Sequence, residues 1–288
     1  MSNSRIRLPD SYISALASGG RLGFLIAMTL AAPLAFGAPD QSARTPAAGS
    51  GSSLGDLEPF LLDGPGRESI VVLSTSGTPV FERNSSRPYT LASVAKVYII
   101  VTFLDRVEKE QRQLTAEENQ LMHDMIELSD NDAASALWER SGGRDALKRL
   151  LAEKRLPNVV VPRDGSWGEI KASARDVALL LLHLYEESLL SPAHTATVLY
   201  YMQHVIDSQA WGVGAGRDHA PPGTDVYVKN GWYPEDDGWI MNSVGILDSQ
   251  TGSHIVVILT DRQPSLEDGK RYLTAALNLL RNHFGRPA

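Results

Sequence analysis

No cysteine occurs among the 288 residues of this chain. Its absence excludes disulfide bonds, thiol catalysis, thiolate-bound zinc and a lipoprotein acylated on cysteine. Runs of basic residues are also missing, and the formal net charge is −7, so we expect no nucleic-acid partner. Apolar material is plentiful: 43% of the residues are hydrophobic and 21% are charged, which is enough for a folded domain with a large core.

The amino-terminal 38 residues have the pattern of a secretory signal peptide. Three arginines precede an uncharged run over residues 23–36, and small residues follow that run. The run is close to the length of the apolar region of a signal peptide and is short for a bilayer span. An uncleaved amino-terminal anchor is the alternative, because the polar part before the run is long for a signal. We therefore expect an exported protein, periplasmic or extracellular, with no stable membrane span after processing.

Residues 39–56 are rich in Pro, Ala, Gly and Ser and carry no periodic apolar pattern. That composition predicts a flexible linker. Neither an internal repeat nor a second linker follows, so we expect residues 57–288 to form one catalytic domain.

The order of predicted elements in this domain indicates an α+β fold. Apolar runs around a Ser-Gly turn predict a β-hairpin over residues 69–83. Helices are predicted over residues 91–107, 115–128, 132–140, 144–154, 174–187 and 192–206. Strands over residues 225–229, 240–247 and 254–260 follow, with a last helix over 269–284. We expect one antiparallel sheet from the strands at both ends, with flanking helices, plus an all-helical lobe and a site in the cleft between them.

Ser93 and Lys96 are the first candidates for chemistry. They lie three residues apart at the start of a predicted helix that is apolar on every side, so they share one helix face. A serine hydroxyl needs a base, and a lysine in an apolar helix has a lowered pKa and can serve as that base. Ser-x-x-Lys also arises by chance about once in a chain of this length. The apolar setting distinguishes this instance, because an unpaired buried lysine is costly.

Two further short motifs are weak when taken alone. Ser129-Asp130-Asn131 lies between two predicted helices, where Asp or Asn would also serve as an ordinary N-cap. Lys229-Asn230-Gly231 is predicted at the end of a strand, where Asn-Gly is also a common turn. The lysine would offer positive charge to an anionic substrate, and the glycine would allow close backbone approach to a reacting carbonyl.

Taken in order, the three motifs resemble the signatures of the class A β-lactamases and penicillin-binding serine hydrolases. The resemblance covers residues 70–284. It implies that Ser93 is the acylated nucleophile, that Lys96 accepts its proton, and that Ser129 passes a proton to the leaving nitrogen.

The same resemblance implies a set of substrate-binding groups. Asn131 would hold the amide side chain of the substrate, and Lys229 would anchor its carboxylate and support Ser129. The backbone N–H of Trp232 would pair with that of Ser93 as an oxyanion hole. Asn230 and Gly231 complete the implied binding strand.

The sequence departs from the family pattern at three places. The third family signature is usually Lys-Thr-Gly, but here Asn230 is the middle residue. The interval from Ser93 to Ser129 is 129 − 93 = 36 positions, shorter than is usual, which suggests an open site. The Glu-x-x-Leu-Asn motif of the deacylating loop is missing. In the corresponding residues 156–172, Glu169 could activate a water, but a solvated loop carboxylate is the commoner situation.

The resemblance therefore predicts a β-lactamase-type hydrolase whose acyl-enzyme is long-lived. A D-alanyl-D-alanine carboxypeptidase acting on cell-wall peptides and a penicillin-binding sensor without turnover are the alternatives. We expect a small-molecule β-lactam or a D-Ala-D-Ala peptide as partner, a monomer, and no cofactor or metal.

Overall fold

The computed structural model describes residues 54–156, 158–219, 223–250, 252–282 and 284. The predicted signal peptide, residues 1–38, and the predicted linker up to residue 53 lie outside the described residues. Helix α1 (Leu54–Leu62) begins at the end of the predicted linker and continues into the predicted domain, where Leu57 and Leu61 are buried. Within the described ranges, no helix has the length and apolar character needed to cross a bilayer.

A five-stranded antiparallel sheet is the centre of the fold. Its strands are β1 (Arg67–Ser74), β2 (Pro79–Arg83), β5 (Asp225–Glu235), β6 (Gly238–Asp248) and β7 (His254–Gln263), in the order β2-β1-β7-β6-β5. The first strands of the domain therefore pair with the last, as predicted. Two short strands, β3 (Pro88–Thr90) and β4 (Lys171–Ser173), form a separate antiparallel pair. The predicted α+β class and antiparallel sheet are confirmed.

The helices also follow the predicted order. They are α2 (Ala95–Lys109), α3 (Ala116–Glu127), α4 (Asn131–Ser141), α5 (Gly143–Glu153), α6 (Ala174–Tyr185), α7 (Pro192–Gln203), α8 (Gly216–His219) and α9 (Leu266–Arg281). Thr115 and Glu118 form a capping box at the start of α3, which explains its sharp beginning.

Two cores lie on opposite faces of the sheet. Neighbouring residues of β7 show the division, because alternate side chains of a strand point to opposite faces. Val257 belongs to the core that includes α2, whereas Ile258 packs with residues of α1 and α9. Helix α2 is buried on every side through its first ten residues, as its uniformly apolar sequence predicted.

Candidate active site

The nucleophile turn, which we define as residues 91–94, joins β3 to α2. Ser93 lies in a 3-10 turn, Ala92–Val94, and the α-helix begins only at Ala95. The predicted α-helix over residues 91–107 was therefore wrong at its start. Ala92 has a φ of 49°, a left-handed conformation that is uncommon for a residue with a side chain. Such backbone strain is frequent where a site must hold one residue in a fixed position.

Asn242 of β6 fixes this turn to the sheet. Its amide nitrogen donates to the carbonyls of Thr90 and Leu91 at 2.8 and 3.1 Å, and its oxygen accepts from the N–H of Thr260 at 3.1 Å. The side chain is fully buried, so loss of these bonds would leave several polar groups unpaired. No motif of the sequence indicated this residue. The available signal was a lone amide inside an otherwise apolar strand.

Gly231 brings the edge strand β5 against the nucleophile turn. A Cβ atom at this position would lie 2.5 Å from the carbonyl oxygen of Leu91 and 2.9 Å from the amide nitrogen of Ser93. Only glycine permits this approach. Trp232 is the next residue of β5. The strand continues to Glu235, so the prediction that Lys229-Asn230-Gly231 ends it was wrong.

Lys96 is fully buried one residue into helix α2. Its amine donates to the Ser129 carbonyl at 2.6 Å, to the Ser129 hydroxyl at 3.2 Å and to Asn131 Oδ1 at 2.8 Å. Burial lowers the pKa of Lys96 to about 8, and the nearby Asp130 carboxylate opposes that shift. An amine with this pKa is partly neutral near physiological pH and can accept a proton.

Ser129 lies between two lysines. Its hydroxyl accepts from Lys229 Nζ at 2.9 Å as well as from Lys96, and Lys229 also donates to the Asn230 carbonyl at 3.0 Å. Burial lowers the pKa of Lys229 well below its usual value, and the charge of Lys96 lowers it further. The φ of Ser129 is 60°, which sets its hydroxyl in the left-handed connection between α3 and α4.

The Ser129-Asp130-Asn131 motif supplies both a cap and contacts to the lysine. Asp130 Oδ1 accepts from the Ala133 N–H at 2.7 Å and is the N-cap of α4. Asn131 is the first residue of that helix and contacts Lys96. The N-cap interpretation of this motif is therefore confirmed, and the functional roles of Ser129 and Asn131 stay predictions.

Asn230 has a different surrounding from Lys229. Its amide nitrogen donates to the carbonyls of Gln209 and Trp211 at 2.7 and 3.0 Å, and its side chain is 1% exposed. Alternation along β5 places it on the strand face opposite Lys229. Its contacts hold the 3-10 turn Asp207–Gln209 and the residues after it. The amide of Asn230, at the position where the family pattern has threonine, therefore binds the backbone of this turn.

The aromatic residues of the β5–β6 hairpin divide between core and solvent. Trp232 packs against the core that includes α9, with its ring 5.8 Å from that of Trp211 in an edge arrangement. Trp239 packs there as well, whereas Tyr233 is 55% exposed. The side chains of Trp232 and Trp239 therefore cover the sheet.

Glu169 is exposed and lies in the 3-10 turn Trp167–Glu169. The residue of this turn that reaches the lysine is Trp167, whose ring centre is 5.2 Å from Lys96 Nζ. Trp167 carries no ionisable group, and no motif in the sequence of this loop indicated its position beside Lys96.

The geometry brings Lys96, Ser129 and Lys229 into contact, and Ser93 precedes Lys96 by three residues. In the part of the chain that the structure describes, no hydrogen bond joins the Ser93 hydroxyl to Lys96. In unliganded enzymes such bonds are often long and tighten when substrate binds. Among the same residues, no group of three or more His, Asp or Glu side chains could hold a metal ion.

A Mycobacterium tuberculosis protein named "Putative lipoprotein LppW" is 24% identical over 203 residues, which are 68% of this chain and 63% of that protein. The chain therefore spans less than two thirds of the curated relatives it matches.

Solved structures show the same fold. The TLA-3 extended-spectrum β-lactamase superposes with a TM-score of 0.70 at 15% identity, covering 81% of this chain and 98% of that one. A variant of PBP-A, crystallised as its acyl-enzyme complex with penicillin G, gives 0.63 at 19% identity, covering 77% and 93%. The profile described as the Beta-lactamase enzyme family matches residues 115–284, which include Ser129 and Lys229 but not Ser93. This match covers more than half of the sequence, and the chain belongs to the β-lactamase enzyme family.

Proposed function

We propose that this protein is a serine hydrolase that opens the amide of a β-lactam through an acyl-enzyme on Ser93. The observation that carries the proposal is the position of the Ser129 hydroxyl, 3.2 Å from Lys96 Nζ and 2.9 Å from Lys229 Nζ. Two buried amines around one hydroxyl form a route for protons. Lys96 also follows Ser93 by three residues, so this route begins beside the nucleophile.

In the acylation step the Ser93 hydroxyl oxygen attacks the amide carbonyl carbon. Neutral Lys96 takes the hydroxyl proton, because burial has made its amine a base near neutral pH. The negative charge that develops on the carbonyl oxygen is bound by the backbone N–H groups of Ser93 and Trp232. The close approach at Gly231 supports this pairing of two amides from different elements.

The C–N bond then breaks, and the leaving nitrogen receives the hydroxyl proton of Ser129. Lys96 returns the proton that it took from Ser93 to Ser129, so the protons balance over the step. Lys229 supports Ser129 by donating to its oxygen. Lys229 as a residue is 1% exposed, so we assign it this supporting role before that of anchoring a substrate carboxylate.

The remaining predicted binding groups differ in how well they suit their roles. Asn131 is exposed at the start of α4 and can present its amide to the side chain of a substrate. Asn230 directs its amide nitrogen to Gln209 and Trp211, so we assign it the support of that turn rather than substrate binding.

Deacylation requires water to attack the Ser93 ester and release the free acid. Glu169 is exposed, and Trp167 stands beside Lys96. We therefore propose that hydrolysis of the acyl-enzyme is slow.

A D-alanyl-D-alanine carboxypeptidase is the second candidate. An aromatic ring beside Lys96, where a hydrolytic β-lactamase needs a carboxylate, favours it. The likeness to PBP-A in an acyl-enzyme complex with penicillin G agrees with this alternative at the level of the fold. We place either activity outside the cytoplasm, in keeping with the predicted signal peptide and the name of the mycobacterial relative.

Intact-mass spectrometry of the protein mixed with penicillin G tests the proposal. We expect a mass increase of one penicillin that Ser93→Ala abolishes and that Ser76→Ala, an exposed serine in the β1–β2 turn, leaves unchanged. Decay of the adduct with release of product supports the β-lactamase. A persistent adduct together with release of D-alanine from a D-Ala-D-Ala peptide supports the carboxypeptidase. Absence of any adduct, or an adduct that remains in Ser93→Ala, would reject Ser93 as the nucleophile.

A further inference from the structure

We propose that Trp167 is a positioning residue that covers Lys96 and keeps hydrolytic water away from the acyl-enzyme, a role that rests on the proposed function of Ser93. The ring centre lies 5.2 Å from Lys96 Nζ, within the range of a cation–π contact. The other neighbours of this amine are the Ser129 carbonyl and hydroxyl and Asn131 Oδ1. Three oxygens and one aromatic ring therefore contact the amine, and Lys96 as a residue is 0% exposed.

The orientation of the indole is fixed by helix α4. Its Nε1–H donates to the Ser135 hydroxyl at 3.2 Å, and that hydroxyl donates to the Asn131 carbonyl at 2.9 Å. Asn131 is the residue whose side chain contacts Lys96 at 2.8 Å. Trp167 and Lys96 are thus both tied to the first turn of one helix, so the ring is held beside the amine.

The loop that carries Trp167 is also tied to the nucleophile turn. The N–H of Leu91 donates to the Ile170 carbonyl at 2.8 Å, and the N–H of Ile170 donates to the Trp167 carbonyl at 3.3 Å. Ile170 is fully buried, which anchors the carboxyl-terminal end of the 3-10 turn. A movement of Trp167 away from the site would break contacts to both the nucleophile turn and α4.

This arrangement has opposite consequences for the two half-reactions. Acylation moves a proton between Ser93, Lys96 and Ser129, and these transfers need no water. Deacylation needs a water beside the ester with a base to deprotonate it. The face of Lys96 that could serve such a water is covered by the indole, and an apolar ring offers the water no hydrogen bond. Trp167 thereby favours formation of the acyl-enzyme over its hydrolysis.

Removal of the ring should also change the titration of Lys96. Loss of the cation–π contact alone would lower the pKa of Lys96. Burial is the main cause of its lowered pKa, however, so replacing the indole by a methyl group admits water and raises the pKa overall. The pH at which acylation reaches half its maximal rate should rise with it. If the ring had only a structural role, its removal would not change the pH at which acylation reaches half its maximal rate.

The test compares Trp167→Ala, Trp167→Phe and Trp239→Ala, with penicillin G as probe and intact mass as readout. Trp239 is a matched control, because it is also a partly buried tryptophan and lies in the other core. We expect the adduct of Trp167→Ala to decay about tenfold faster or more. Its acylation midpoint should rise by about half a pH unit or more. Trp167→Phe, which keeps an aromatic face, and Trp239→Ala should stay within about threefold of the wild-type lifetime.

The possible outcomes separate this inference from the proposed function. An adduct on the wild type whose lifetime is unchanged in Trp167→Ala would overturn the role of Trp167 alone. Equal acceleration in Trp239→Ala would overturn it as well, since general loosening would then be the cause. If Trp167→Ala fails to fold, Trp167→Gln takes its place, because it also removes the aromatic face; an adduct lifetime within about threefold of the wild type in that variant would overturn the covering role. Absence of an adduct on the wild type would reject the proposed function, and this inference with it.

Discussion

At the scale of single residues, the site depends on two amines that the fold holds out of water. Lys96 and Lys229 both contact the Ser129 hydroxyl, and burial lowers the pKa of each. Two charged ammonium groups around one hydroxyl would repel each other, so the arrangement favours a neutral amine in the site. Removing the two amines from water destabilises the fold, but it also lowers their pKa values, so that a lysine can act as a base.

The pH dependence of acylation should report Lys96. Its pKa of about 8 means that the neutral, basic form increases as pH rises through 8. We expect the rate constant for acylation by penicillin G to increase about 50-fold from pH 6 to 8, and about twofold more above that. Stopped-flow or quenched mass measurements across pH 6–9.5 check this. A rate that is constant between pH 6 and 9 would contradict the assignment of Lys96 as the base.

How far the site could be predicted also differs residue by residue. Lys96, Ser129 and Lys229 are in contact, and each could be picked out from the sequence as a polar residue in or beside an apolar segment. The role of Ser93 as the nucleophile stays a prediction. The sequence did not indicate the role of Asn242, because that role depends on β6 passing beside the nucleophile turn. That proximity arises from strand order and not from local spacing.

At the scale of secondary-structure elements, the connection from α3 to α4 positions Ser129. The last turn of α3 contains His123 between two carboxylates, at 2.7 Å from Asp124 and 3.3 Å from Glu127. The N–H of Asp130 donates to the Asp124 carbonyl at 2.9 Å, which joins this turn to the catalytic connection. The hydrogen bond to Glu127 is the main cause that raises the pKa of His123 to about 9.

Replacing His123 should therefore destabilise the protein in a pH-dependent way. A pKa raised in the folded state contributes stability fully below pH 6.5, and this contribution is lost as pH rises through about 9. We expect His123→Gln to lower the free energy of unfolding by about 1–2 kcal/mol at pH 6, a value reduced for solvent screening, and by much less at pH 10. Urea unfolding at both pH values measures the difference. In a Glu127→Gln background the effect at pH 6 should shrink, and equal losses at both pH values would contradict the ion-pair assignment.

The end of β5 and the start of α2 are two boundaries that the sequence pattern predicted wrongly. The Asn-Gly pair at 230–231 is typical of a hairpin turn, but β5 continues past it because Trp232 and Tyr233 pair with Met241 and Ile240 of β6. The turn lies instead at Asp236 and Asp237, before Gly238. The helix expected from residue 91 begins as a 3-10 turn, because the nucleophile turn is shaped by its contacts with Gly231 and Asn242.

At the scale of the whole molecule, one sheet separates two cores, and the site lies where the helices meet the edge strand β5. Val257 and Ile258 are neighbours on β7, both fully buried, and their side chains enter different cores. Because the same central strand serves both cores, loss of packing on one face also weakens the strand pairing that the other face requires. The two cores should therefore unfold together.

Two truncations on β7 test this coupling. We expect Val257→Ala and Ile258→Ala each to lower the free energy of unfolding by about 2–4 kcal/mol. Each should shift the urea transition followed by tryptophan fluorescence and that followed by circular dichroism by the same amount. The tryptophans report both sides of the sheet, since Trp138 and Trp167 adjoin one core and Trp211, Trp232 and Trp239 the other. Two separate transitions, or a fluorescence shift confined to one variant, would show that the cores unfold independently and that the sheet does not couple them.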